Sequence, residues 1–78
     1  MSEEEKDIAL PIKKVADRFK QLRIQSGSSS YENFALDHGI GRMQYWRIEN
    51  GDNLTLKTFF KILQIHGITP EEFFKDFS

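Results

Sequence analysis

The sequence predicts an all-α domain of five short helices, on three observations. Apolar residues recur at three- and four-residue intervals, as on one helix face, in Ile12, Val15, Ala16, Phe19 and Leu22 and again in Leu56, Phe59, Phe60, Ile62 and Leu63. Gly27, Gly39, Gly51 and Gly67 divide the chain at the ends of these periodic stretches, where helix C-termini favour glycine. No run alternates apolar and polar residues for long enough to form a strand.

Each element follows from local chemistry. Residues 1–10 are acidic and polar and are expected to form a tail ahead of a single domain over residues 11–78. Pro11 suits the first turn of helix one, which Gly27 ends. Ser29 or Ser30 caps helix two; Ser29 with Glu32 matches a capping box, and Ser30 gives a later start. This helix carries Tyr31, Phe34, Ala35 and His38 and stops at Gly39. Helix three runs from about Arg42 to Asn50 with Tyr45 and Ile48 facing inward, and Gly51 caps it. Thr55 caps helix four, which Gly67 ends. Thr69-Pro70-Glu71-Glu72 starts helix five with an N-cap, a proline at the first position and acids in the first turn, and Phe73, Phe74 and Phe77 follow.

Composition narrows the function. A chain of 78 residues is one small domain of modest stability. It has no cysteine, which excludes disulfides and thiolate metal sites and fits a reducing cytoplasm. No apolar run approaches the roughly 20 residues of a membrane helix, and the acidic start lacks the layout of a signal peptide. The formal net charge is −1, but it is unevenly spread. Residues 13–61 hold nine bases against five acids, between acidic ends. A basic body of this kind is compatible with a binding face for a polyanion, and equally with an ordinary mixed-charge surface.

The stretch "GIGRMQYWRIENG", residues 39–51, is the most informative. Gly39 supplies a chain reversal, Ile40 plugs the corner, and Ala35 is small enough for helices two and three to approach closely. With Tyr45 and Ile48 turned inward, Arg42, Met43, Gln44, Trp46 and Arg47 remain on the other faces. Two helices joined in this way, with such an outward face, have the form of a helix-turn-helix that enters a DNA major groove.

At these residues the sequence resembles the phage-repressor and Cro type, or XRE-like, family of helix-turn-helix domains. The resemblance rests on "LRIQSG" at 22–27, "FALDHGI" at 34–40 and "YWRIENG" at 45–51, and extends through "TLKTFFKIL" and "GITPEEFF" over roughly residues 12–74. It implies a five-helix, lambda-repressor-like fold with its helix-turn-helix at helices two and three. It implies binding to double-stranded operator DNA, usually as a homodimer on a two-fold site, by a regulator located in the cytoplasm at the nucleoid of a bacterium or phage host. By position, Arg42 and Met43 match residues that read base edges, Gln44 one near bases or phosphate, and Arg47 a base reader one turn on. Arg23 and Glu49 match a buried ion pair, and Asn50 with the 51–55 loop, which includes Asn53, matches a stretch whose backbone amides meet phosphate. Tyr31 stands where the family often has a phosphate-binding glutamine and offers its hydroxyl instead. Gly41 replaces the usual Ser/Thr cap, His38 and His66 replace aliphatic residues, and the 27–30 loop is one residue longer.

The side-chain chemistry is consistent with these roles. Arginine forks two hydrogen bonds to guanine, methionine can meet a thymine methyl, and glutamine reads adenine or bonds phosphate. Trp46 is either a sugar-phosphate contact or a partly buried edge residue. Lys57 is a candidate phosphate contact, as are Lys13, Lys14, Arg18 and Lys20. The phenylalanines near the C-terminal end are core, with Phe74 or Phe77 a candidate dimer face. No enzymatic activity, cofactor or metal is expected: the two histidines have no zinc spacing, and no glycine-rich phosphate loop is present. The competing expectation is a protein-interaction module of the same fold, an antitoxin or accessory subunit with a protein partner.

Overall fold

The computed structural model describes residues 3–75 and residue 77. Five α-helices follow one another: α1 Glu3–Gln25, α2 Tyr31–Asp37, α3 Arg42–Glu49, α4 Leu56–His66 and α5 Pro70–Phe74. There is no strand among the described residues. The all-α class and the five-helix order expected from periodicity are therefore present.

The helix boundaries are set by short-range hydrogen bonds. Ser30, not Ser29, caps α2; its hydroxyl accepts from the Asn33 amide at 3.3 Å. Thr55 does the same for the Thr58 amide at 3.1 Å. Thr69 forms a complete capping box, accepting from the Glu72 amide and donating its own amide to Glu72 Oε1, each at 3.1 Å. Helix α5 then ends at Phe74, before Phe77. Helix α3 has Gly41 at its N-cap and so lacks a side-chain cap.

The start of α1 differs from expectation. Pro11 lies inside the helix, which begins at Glu3, so residues 3–10 of the expected tail are helical. An internal proline removes one hydrogen bond and crowds the carbonyl four residues back. That local loss does not end a helix flanked on both sides by good helix formers such as Ala9, Leu10 and Lys13. Ile8 and Leu10 are more than half exposed, so the segment before Pro11 projects from the core rather than building it.

The core joins α1, α2, α3, α4 and α5 through Phe19, Phe34, Ala35, Ile40, Tyr45, Ile48, Phe59, Ile62, Leu63 and Phe73. Phe19, Phe59 and Phe73 form a triangle with ring centroids 4.9–5.7 Å apart, tying α1, α4 and α5 together. Phe34 meets Tyr45 at 5.0 Å and so locks α2 to α3. Between those helices Gly39 takes φ +68°, a left-handed turn that side-chain-bearing residues adopt at a cost. The corner is closed by the Ile40 amide, which donates to the Ala35 carbonyl at 2.9 Å. Ala35 is fully buried at that contact, as its small size anticipates. Leu56 and Phe60, expected on the apolar face of α4, are instead 74% and 48% exposed. The five apolar positions of α4 span more of its circumference than its neighbours cover.

Candidate nucleic-acid interface

Helix α3 is held from one side only. Tyr45 and Ile48 are buried, and the residues before and between them are exposed. Arg42, Met43, Gln44, Trp46 and Arg47 are all exposed, with Met43 at 55% and Trp46 at 42%. The helix thus presents two cations, an amide, a thioether and an indole to solvent over eight residues.

The far end of α3 is pinned by an ion pair. Arg23 Nε donates to Glu49 Oε2 at 2.7 Å and Nη2 donates to Glu49 Oε1 at 3.0 Å, a two-point fork. Nη1 donates to the Ser28 carbonyl at 2.8 Å, so the same guanidinium also anchors the α1–α2 loop. Both side chains are about 95% buried, at 5% and 6% exposure. The Glu49 hydrogen bond raises the Arg23 pKa, outweighing the desolvation that would lower it. The Tyr45 hydroxyl is buried without a well-aligned partner; burial and then the Glu49 carboxylate push its ionisation far up, so it stays neutral.

The start of α3 carries a second pair. Arg42 Nη1 donates to Glu32 Oε2 at 3.2 Å across the turn from α2. Beside it, Glu32, Asn33, Leu36, Ile40 and Arg42 line an open cleft of about 390 Å³. Sequence reasoning assigned Glu32 only to a capping box and missed this contact, which needs the turn geometry to bring residues ten apart together.

The candidate backbone contacts divide into groups. Asn50 and Asn53 line one open groove of about 680 Å³ with Lys13 and Lys20 of α1, and Asp17 and Glu49 share it. The Asn50 side chain donates to the Trp46 carbonyl at 2.8 Å, which closes the C-terminus of α3. The amides of Gly51, Asp52 and Asn53 already have acceptors in Ile48, Arg47 and the Asp52 carboxylate. Side chains, not these three amides, are what the loop offers a ligand. Tyr31 is half-buried against the core at the start of α2, and Lys57 is exposed in the first turn of α4.

A different cleft, of about 510 Å³, lies between the 26–30 serine loop, α2 and α4. His66 stacks on Phe34 there, with centroids 5.3 Å apart and planes 12° from parallel, and His38 lies against the same ring at 4.5 Å. His66 Nε2 is buried without a partner, and its pKa is lowered by burial and then by His38. Among the described residues no three His, Cys, Asp or Glu side chains converge as a metal site would require, and no helix is long and apolar enough to cross a membrane.

Among known proteins, no family model, no curated protein and no solved structure significantly matches this chain.

Proposed function

We propose that the chain is a sequence-specific DNA-binding regulator with a lambda-repressor-like helix-turn-helix in α2 and α3. In this reading α3 enters the major groove of an operator, and two copies bind a two-fold symmetric site. One observation carries the proposal: Tyr45, Ile48 and the Arg23–Glu49 fork fix one side of α3, while Arg42, Met43, Gln44 and Arg47 are exposed together on the rest. A rigid helix that displays hydrogen-bond donors beside an apolar group is what base-edge reading requires. Lys13, Lys20, Asn53 and Lys57 would meet phosphates and set register, and the base contacts would supply specificity.

The test is selection from a pool of random duplexes, followed by anisotropy of the winning duplex against salt. A two-fold motif whose binding weakens steeply with salt is expected, since each neutralised phosphate releases counterion. No enrichment, or binding indifferent to salt, would overturn the reading.

A second reading has its own support. Leu36, Met43 and Trp46 are 79%, 55% and 42% exposed on α2 and α3, an apolar content that suits a protein partner. A partner held by that surface would bind with little dependence on salt.

A further inference from the structure

The ion pair between Glu32 and Arg42 is out of place as a stabilising device. Its side chains are 65% exposed for Arg42 and 51% for Glu32, and exposed pairs of this kind contribute little to stability. It is equally out of place as a general attraction for DNA, because a carboxylate beside the binding face repels phosphates. The two backbones it connects, however, are held firmly. Helix α2 is fixed by buried Phe34 and Ala35, and α3 by buried Tyr45 and Ile48. A contact between two fixed helices restricts the one flexible part, the long arginine side chain.

We propose that Glu32 is a positioning residue for base reading by Arg42. This inference rests on the DNA-binding reading above. The carboxylate accepts one hydrogen bond from Nη1, at 3.2 Å. A guanidinium has five N–H donors, so four remain, enough for a forked contact to a guanine. Holding the group before binding lowers the ordering cost of that contact. It also keeps Arg42 from turning to the nearest phosphate, where it would attract every sequence alike. Glu32 therefore acts in two directions: it sharpens base preference and weakens nonspecific binding.

These two effects have opposite signs, which separates positioning from a merely structural role. The experiment measures wild type, Glu32→Ala, Glu32→Gln and Arg42→Ala by anisotropy over a salt series. The probes are the selected duplex and the same duplex with one base pair changed, the pair whose preference Arg42→Ala abolishes. A forked contact gives wild type a preference on the order of 5- to 150-fold. Glu32→Ala is expected to lose at least about 3-fold of that preference, to bind the altered duplex more tightly, and to steepen the salt slope by about one phosphate contact. Glu32→Gln keeps an acceptor oxygen without the charge, so it should retain the preference while gaining nonspecific affinity.

Unchanged preference in Glu32→Ala, or equal weakening on both duplexes, overturns the proposal and leaves the DNA-binding reading intact. Absence of salt-dependent binding by the wild type to any duplex overturns both.

Discussion

Arg23 forks onto Glu49 and reaches Ser28 with its third nitrogen, and the two charged side chains are buried. Net stabilisation by such a buried pair is small, but removing one partner strands a charge and typically costs about 3–5 kcal/mol. Glu49→Ala should accordingly unfold or loosen the domain, seen as a lower urea midpoint and lost tertiary signal from Trp46. Unchanged thermal stability would remove the pair from any structural role. Arg42 differs, because its surroundings are solvent and one carboxylate. Arg42→Ala should leave stability nearly untouched and cost about 1–3 kcal/mol on the preferred duplex, with lost preference at one base pair. A selected motif identical to that of wild type would refute the assignment.

His66 gives the molecule a pH dependence whose sign is fixed. Burial, and then His38, hold its pKa below the ordinary 6.5. The unfolded chain therefore takes up a proton near pH 6.5 that the folded chain refuses, and stability falls as pH drops below that value. The loss levels off once the folded-state pKa is passed. His66→Phe keeps a ring to stack on Phe34 and removes the titration. Urea midpoints at pH 7.5 and 5.5 should show a larger acid loss in wild type than in this variant. Equal losses would show that His66 is not the source of the acid sensitivity.

At the scale of the element, capping was the most legible feature. Thr55 and Thr69 bond amides three residues on, so the whole interaction lies within four residues of sequence. Helix α5 has only five residues and depends on that box to present the fully buried Phe73. Thr69→Ala should cost about 1 kcal/mol, measurable as a lower urea midpoint. No change would mean that packing of Phe73 alone sets α5. The beginning of α1 was not legible in the same way. A proline is allowed at a helix start and tolerated inside a long helix, and the preference for the first reading does not exclude the second. The choice between Ser29 and Ser30 was open for a similar reason: both hydroxyls precede a helical run, and the loop's path decides which one faces the free amide. On α3, by contrast, the three-residue spacing of Tyr45 and Ile48 fixes the rotation of the helix, so the exposure of Arg42, Met43, Gln44 and Arg47 followed directly.

At the scale of the whole molecule, the exposed aromatics bear on assembly. Phe60 and Phe74 are 48% and 44% exposed while both pack on the buried Phe59 ring. In the proposed dimer they would supply the apolar contact between the two copies. Phe60→Glu should then abolish concentration-dependent association in sedimentation and weaken binding to a two-fold site more than to a half-site. Equal effects on both sites would place the dimer contact elsewhere. Net charge alone, at −1, hides the relevant distribution. Lys13 and Lys20 share a groove with Asn50 and Asn53, although the two pairs lie 30 or more positions apart in the chain.

The sequence by itself determined the helical class, the order of five helices, the N-caps of α4 and α5 and the phase of α3. Those depend on interactions within a few residues, which spacing and residue type specify. Tertiary structure alone decided that Glu32 meets Arg42 and that Leu56 and Phe60 stay in solvent. Each of these outcomes depends on distance and coverage in the folded chain: how sharply the turn brings two helices together, and how much of an apolar face the neighbouring helices can reach.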